Sequence, residues 1–193
     1  MSNSNTIYSN NEVNKEDFSW ALITGASRGI GRAIAIEIAK LKVPIILVAR
    51  NEERLEDLAA LLHECYGVPT KVIVCDFGQP NAAQKIYDAT TKAKYTVDIL
   101  INNAGVAETS ELITMDKFKI DQLTNVNVLA PTKLCQLYGR DMKERKRGRI
   151  LIMSSLTGAV SGVPTSAVYA GTKSYQRSLA TSLRKELEEY GVG

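Results

Sequence analysis

The chain has 193 residues, a net charge of +3 and 45% hydrophobic residues, which fits a single globular domain with a sizeable core and favours no polyanionic partner. One histidine excludes a multi-histidine metal site, and three cysteines without C-x-x-C spacing argue against a zinc site or a disulfide framework. We therefore expect no metal site and a reducing compartment, the cytoplasm. No apolar run reaches the ~20 residues of a membrane-spanning helix.

The first 17 residues are rich in serine and asparagine and lack an apolar stretch. This composition is typical of a disordered lead-in and not of a secretory signal. We expect one folded domain over residues 18–193.

A glycine-rich turn at 24–31 follows the first predicted strand, the apolar run at 20–23. An alanine- and isoleucine-rich helix comes next and runs to about residue 41. Glycine accepts positive φ and lets an anion approach the main chain, and the first turn of a helix offers unpaired N–H groups. The turn therefore predicts a pyrophosphate site, the alternative being a tight turn that binds nothing. Its spacing is G-x-x-x-G-x-G, whereas the general dinucleotide fingerprint is G-x-G-x-x-G.

The rest of the chain alternates short apolar strands with helices. Further strands are predicted at 44–49, 71–76, 97–101 and 148–153. Further helices are predicted at 51–66, 80–94, 115–146 and 166–190, the third of them interrupted near 125–130. This alternation predicts an α/β fold, a doubly wound, Rossmann-like parallel sheet in three α/β/α layers.

Polar or special residues stand at the carboxyl end of every predicted strand. Ligands bind at that edge of a doubly wound sheet, so these positions are candidates for a site. They are the glycine turn, Arg50, Asp76, Asn102-Asn103 and Ser154-Ser155.

Two arginines indicate which nicotinamide cofactor is preferred. An acidic residue after the second strand is typical of NAD binding, but Arg50 stands there and Arg28 lies in the glycine turn. Guanidinium groups form charge-assisted hydrogen bonds with a 2′-phosphate. The sequence therefore predicts NADP, the alternative being that both arginines are ordinary surface residues.

Tyr169 and Lys173 are four residues apart and share one face of the last predicted helix. A nearby ammonium favours a phenolate and suits a tyrosine to acid–base work near neutral pH. Ser154 or Ser155, at the end of the neighbouring strand, could bond a carbonyl oxygen. Taken alone, the Tyr-x-x-x-Lys pair would more simply be a solvated helix face.

In this order along the chain, these motifs resemble those of the classical short-chain dehydrogenase/reductase family, whose glycine turn has the spacing found here. The matching residues are Thr24-Gly25-x-x-x-Gly29-x-Gly31, Asn102-Asn103-Ala104-Gly105, Asn127, Ser155 and Tyr169-x-x-x-Lys173. The resemblance implies that Tyr169 is the general acid/base and that Lys173 assists it and holds the nicotinamide ribose. It also implies that Ser155 polarises the substrate oxygen and that Asn127 supports a water in a proton relay.

The resemblance further implies where NADP binds. Asp76 would contact the adenine, and Asn103 would lie along the cofactor. Alone, Asp76 could equally cap the next helix and Asn102-Asn103 could equally form a turn. The full set of expected cofactor-binding residues is Gly25, Ser27, Arg28, Gly29, Ile30, Gly31, Arg50, Asp76, Asn103, Ala104, Gly105, Tyr169 and Lys173.

The chain departs from the family pattern in two places. The interval from Ser155 to Tyr169 is one residue longer than usual, which bears on the choice of Ser155 over Ser154. The chain also reaches Gly193 where family members begin another strand, so the predicted fold lacks the usual last strands and one sheet edge is left bare. This is expected of a fragment, of a chain whose edge is covered by another chain, or of a protein that is not an ordinary enzyme.

Two functions follow as expectations. The first is an NADP-dependent oxidoreductase that interconverts a carbonyl and a secondary alcohol, with a ketone, a 3-oxoacyl compound or a hydroxysteroid-like molecule as substrate. The alternative is a truncated, non-catalytic nucleotide-binding or interaction protein of the same fold. The resemblance implies a homodimer or homotetramer packed through the helices at 115–146 and 166–190. The basic segment 143–149 lacks interleaved aromatic residues, so we interpret it as a solvated loop and expect no nucleic-acid partner.

Overall fold

The structure, a computed structural model, describes residues 19–160 and 162–193. The expected disordered lead-in at 1–17 lies outside the described residues. The strands are β1 (Ser19–Thr24), β2 (Ile45–Ala49), β3 (Thr70–Val74), β4 (Thr96–Asn102) and β5 (Arg149–Ile152). The helices are α1 (Gly29–Lys40), α2 (Glu52–Tyr66), α3 (Ala82–Lys92), α4 (Lys117–Thr124), α5 (Ala130–Arg145) and α6 (Ala167–Leu187).

The five strands form one parallel sheet in the order β3-β2-β1-β4-β5. The predicted doubly wound α/β fold is thus confirmed. The strand order reverses between β1 and β4, so the carboxyl ends of these two strands flank the place where such sheets bind ligands. In register, Ile23 of β1 stands beside Leu47 of β2 and Ile101 of β4.

Helices pack on both faces of the sheet. Neighbouring side chains of a strand point to opposite faces and so enter two different cores. Leu22 of β1 packs into a core formed with α3, α5 and the end of α6. Ile23, the next residue, packs into a second core formed with α1 and α2. The central strands β1, β2 and β4 are mostly buried on both faces and therefore read as near-continuous apolar runs. Each predicted strand lies within two residues of an observed one.

The predicted interruption of the helix at 115–146 is a turn of π-helix, Asn125–Leu129, between α4 and α5. Single π turns of this kind commonly mark functional sites. The last helix ends at Leu187, three residues earlier than predicted, and Glu188–Tyr190 form a short 3-10 turn.

The end of the described chain lies beside β5. Gly148 forms a parallel bridge with Val192, and the Ile150 N–H donates to the Gly193 carbonyl over 2.8 Å. Val192 and Gly193 therefore occupy the position that the sequence predicts for the start of a next strand.

The basic segment 143–149 is partly structural, which corrects its interpretation as a solvated loop. The Asp98 carboxylate at the start of β4 pairs with Arg145 Nη2 at 3.0 Å and with Arg147 Nε at 2.7 Å. It also accepts a 2.6 Å hydrogen bond from Ser19 Oγ. Because Asp98 is buried, these partners tie the start of β1, the start of β4 and the end of α5 together, opposite the edge that carries the glycine turn.

Candidate active site

The glycine turn joins β1 to α1 with two residues in the left-handed region, Gly25 at φ +69° and Gly29 at φ +57°. The third glycine, Gly31, is needed for close packing. A Cβ on it would lie 2.4 Å from the Gly25 carbonyl oxygen and 2.5 Å from Asn103 Nδ2. No side chain caps α1 and its first turn has no acidic residue, so its first N–H groups face a site suited to an anion.

Asn103 fastens the glycine turn to the end of β4. Its Nδ2 donates to the main-chain oxygens of Thr24, at 2.9 Å, and Gly25, at 3.2 Å. The Thr24 hydroxyl in turn accepts from the N–H groups of Asn103 and Ala104, at 3.0 and 2.9 Å. The side chain of Asn103 thus holds the glycine turn against the end of β4. Asn103 also lines the cleft at this edge of the sheet.

A cleft of about 470 Å³ opens at the carboxyl ends of β1 to β4, within the range of small-molecule sites. Of the residues expected to bind the cofactor, all line it except Gly31, which lies beneath the turn, Tyr169 and Lys173. Asp76 lies in its wall and accepts a 3.0 Å hydrogen bond from the Gly78 N–H, so it forms a local turn and does not cap α3.

Three arginines line the cleft, where the sequence analysis proposed two. Arg28 precedes α1, Arg50 follows β2, and Arg54 stands in the first turn of α2. Asn51 Oδ1 accepts from the Arg54 N–H at 2.8 Å, and this cap brings Arg54 to the same side as Arg50. All three are exposed, and none pairs with a carboxylate within the described ranges. The capping asparagine was the signal that could have identified Arg54.

Lys173 and Tyr169 stand one turn apart on α6, with Lys173 Nζ 5.9 Å from the centre of the Tyr169 ring. Lys173 is only 4% exposed, and this burial lowers the pKa of its ammonium group. Its Nζ donates to the Met153 carbonyl at 2.9 Å and to Gln176 Oε1 at 2.8 Å. A Cβ on Gly105, which lines the cleft, would lie 3.4 Å from Nζ, so the Lys173 ammonium lies directly beside this part of the cleft wall.

The two serines after β5 have different partners. Ser154 Oγ donates to the Lys173 carbonyl at 2.8 Å and so anchors α6. Ser155 Oγ accepts from Thr157, from Oγ1 at 2.9 Å and from the N–H at 3.3 Å, which leaves its own hydroxyl hydrogen free to donate. Tyr169 Oη forms no hydrogen bond with any residue in 19–160 or 162–193.

Asn127 lies in the π turn and is fully buried. Its Oδ1 accepts from the Val106 N–H at 2.9 Å, and its Nδ2 donates to the Val106 carbonyl at 2.8 Å and to Thr172 Oγ1 at 3.1 Å. Its own carbonyl accepts from Gln176 Nε2 at 2.8 Å. The side chain of Asn127 therefore joins Val106, in the segment after β4, to Thr172 on α6. Its main-chain carbonyl contacts Gln176, a residue that the sequence motifs do not indicate.

Other kinds of site find no support in the described part of the chain. There, no group of three or more histidine, cysteine, aspartate or glutamate residues could hold a metal ion. None of the helices in this part of the chain has the length and apolar character to cross a membrane.

Residues 19–193 match the family described as short chain dehydrogenase. A very-long-chain 3-oxoacyl-CoA reductase of Anas platyrhynchos is 34% identical over 181 residues, which cover 90% of this chain and 56% of that protein. The chain thus spans slightly more than half the length of this curated relative.

Solved structures agree in fold. The bulky-bulky ketone specific alcohol dehydrogenase from Comamonas testosteroni superposes with a TM-score of 0.85 at 30% identity, covering 91% of this chain and 70% of that one. A metagenomic short-chain oxidoreductase in complex with NADP superposes with a TM-score of 0.84 at 34% identity, covering 90% and 78%. The chain therefore belongs to the short-chain dehydrogenase family.

Proposed function

We propose that the protein is an NADP-dependent oxidoreductase that interconverts a carbonyl and a secondary alcohol. The observation that carries the proposal is a cleft lined by three arginines that pair with no carboxylate among the described residues. Gly105, which also lines this cleft, lies beside Lys173 Nζ, and Lys173 stands one helical turn from Tyr169. The names of the relatives, a 3-oxoacyl-CoA reductase and a ketone-specific alcohol dehydrogenase, support the same reaction type.

The residues of the cleft fit NADP. A Cβ on Gly25 would lie 2.9 Å from Ala104 Cα, so the glycine turn leaves its main chain bare for a pyrophosphate beside the uncapped start of α1. Arg28, Arg50 and Arg54 supply the charge that a 2′-phosphate needs. When bound, the cofactor supplies or accepts the hydride, and the protein handles the proton.

In the reducing direction, Tyr169 Oη would give its proton to the carbonyl oxygen of the substrate. The free hydroxyl hydrogen of Ser155 bonds the same oxygen and stabilises the charge that develops on it. The ammonium of Lys173, one turn away, supplies a positive charge 5.9 Å from the centre of the ring that gives up the proton. In the oxidising direction the same groups act in reverse, with Tyr169 as the base.

The proposed substrates are ketones, 3-oxoacyl compounds and hydroxysteroid-like molecules. A 3-oxoacyl thioester is the first to test, because the Anas platyrhynchos relative is named for that substrate class. NADPH oxidation is followed at 340 nm with a 3-oxoacyl thioester and a panel of bulky ketones, and again with NADH.

We expect turnover with NADPH and little with NADH. If NADPH binds but no compound of the panel is turned over, the result favours a non-catalytic nucleotide-binding protein of the same fold. If NADPH does not bind, the cofactor assignment is wrong.

We also propose a homodimer or homotetramer packed through α4–α5 and α6. Large side chains on these elements are exposed, with Phe118 at 70%, Leu129 at 43% and Tyr175 at 38%, and packing against a second copy would bury them. Sedimentation of the protein and of Phe118→Glu tests this, with dissociation expected for the variant. The cytoplasmic location is likewise a proposal. It is supported by three free cysteines and is tested by imaging a tagged protein.

A further inference from the structure

A buried glutamine connects two of the expected catalytic residues. Gln176, on α6 three residues after Lys173, is 1% exposed. Its Oε1 accepts from Lys173 Nζ at 2.8 Å, and its Nε2 donates to the Asn127 carbonyl at 2.8 Å. The orientation of the amide is fixed by its partners, since an ammonium group only donates and a carbonyl only accepts.

This contact determines the direction of the Lys173 ammonium. The group has three N–H donors, and two of them bond inward, to the Met153 carbonyl and to Gln176 Oε1. The third is left for the cleft, where Gly105 makes room beside Nζ. Without Gln176 the ammonium would lose one of the two acceptors that orient it.

The same contact occupies the Asn127 carbonyl. The family resemblance implies that Asn127 supports a water in a proton relay. Here the Gln176 amide itself spans from Nζ to the Asn127 carbonyl. A water can accept a proton from one neighbour and give another onward, whereas an amide in this orientation keeps its own two N–H hydrogens.

We propose that Gln176 is a positioning residue of the proposed active site, which holds the Lys173 ammonium towards the cleft and takes the place of the relay water. Protons then exchange with Tyr169 from the cleft side and not through the interior behind Lys173. The inference rests on the proposed function, but the contact on which it depends lies within the chain itself.

The surroundings of Lys173 show why one amide matters. On α6 the titratable group that faces it is Tyr169. The residue after β5 offers the Met153 carbonyl, and the π turn offers Asn127 through Gln176. No carboxylate contacts Lys173 within the described residues, so neutral acceptors alone stabilise its charge. Burial already lowers the pKa of Lys173, and loss of an acceptor is expected to lower it further.

Gln176→Leu and Gln176→Glu test the proposal in opposite directions. The apparent pKa of Lys173 is measured by competitive acylation against pH in the protein without NADP. We expect the leucine variant to lower it and the glutamate variant to raise it, each by about one pH unit, because hydrogen bonds to charged groups are the stronger class. The pH dependence of kcat is expected to shift in opposite directions in the two variants as well, while KM for NADPH changes less.

Gln136→Glu, an exposed glutamine on α5, is the matched control for the added charge and is expected to shift neither profile. If the glutamate variant does not fold, Gln176→Met together with Gln176→Leu still tests the downward shift. Lys173 titrating as in wild type in every variant, or moving the same way in the leucine and glutamate variants, would overturn the proposal.

A crystal structure with NADP tests the second part. We expect the Gln176 amide between Lys173 Nζ and the Asn127 carbonyl, and a water in its place would overturn the assignment. These results are independent of the proposed function. Acylation measures the effect of Gln176 on Lys173 even if the protein turns over no substrate. Conversely, if the Gln176 variants leave Lys173 unchanged but turnover depends on Tyr169, only the proposal for Gln176 fails.

Discussion

Gly31 and Asn103 are packed so closely that a Cβ on the glycine would lie 2.5 Å from the asparagine Nδ2. The same amide nitrogen bonds the main-chain oxygens of Thr24 and Gly25. The start of α1, the glycine turn and the end of β4 therefore form one tightly packed unit, and that unit is a wall of the proposed NADP cleft.

Gly31→Ala is expected to damage both stability and cofactor binding. The added methyl would also meet the Gly25 carbonyl oxygen at 2.4 Å, and main-chain atoms cannot move aside as a flexible side chain does. Overpacking of this kind costs about 1–3 kcal/mol. Chemical denaturation and a fluorescence titration with NADPH measure the two effects.

Gly171→Ala is the matched control, since a Cβ on this exposed position of α6 meets nothing within 4 Å. Alanine is the better helix former, so this variant is expected to gain about 0.5–1 kcal/mol and to bind NADPH as wild type does. A Gly31→Ala protein as stable as wild type and with unchanged NADPH affinity would contradict the packing described here.

Arg54→Ala is expected to weaken NADPH binding about tenfold or more and to leave NADH binding nearly unchanged. The reason is that its guanidinium lies in the cleft with Arg28 and Arg50, and a hydrogen bond to a charged group contributes about 1.5–3 kcal/mol. Calorimetric titration with both cofactors measures the ratio. Arg32→Ala removes an exposed arginine of α1 that does not line the cleft and should change neither affinity. Equal losses for NADPH and NADH in Arg54→Ala would remove the 2′-phosphate role.

Cys135 predicts a stability loss at alkaline pH. Burial raises the pKa of this thiol from 9.0 to about 12, although the hydrogen bond from Asn102 Nδ2 acts in the opposite direction. The folded protein therefore keeps the proton at a pH where the unfolded chain has lost it. The stabilisation is fully present below about pH 9 and is lost as the pH rises towards 12.

We expect the Cys135 contribution to the free energy of unfolding to fall by about 2 kcal/mol between pH 9 and 10.5. Denaturation at both pH values shows this as a steeper decline for wild type than for Cys135→Ala. Removing the exposed thiol of Cys65 in the same way is expected to leave the wild-type decline in place. Parallel declines in wild type and Cys135→Ala would rule out the buried thiol as the cause.

The sequence could predict the sheet and the glycine turn because their signals are local. A strand such as β2, which is buried at every position, is a continuous apolar run in the sequence. The start of α2 is indicated by Asn51, whose side chain caps the helix in the structure. The turn from β1 to α1 is specified by glycines whose backbone angles and packing suit no other residue.

Long-range contacts could not be predicted in this way. Asp98 and Arg145 are 47 residues apart, and neither carries a sign of the other in its neighbourhood. Gln176 falls within a helix, where a polar residue is usually a solvated one. Gln176 is buried because the Asn127 carbonyl, in the π turn between α4 and α5, faces α6 and accepts from its side chain. The position of the π turn against α6 is set by the fold and not by the residues around Gln176.

The central claim is that the Tyr169 hydroxyl transfers the proton, and kcat of Tyr169→Phe tests it most directly. The substitution removes one oxygen atom that has no hydrogen-bond partner among the described residues, so folding and NADPH affinity are expected to stay near wild type. General acid–base catalysis contributes about 10²- to 10⁴-fold, and we predict a loss of kcat in that range. Tyr175→Phe, on the same helix with its hydroxyl against Thr132, serves as the control and should keep its activity. A Tyr169→Phe protein that reduces substrate as fast as wild type would contradict the account.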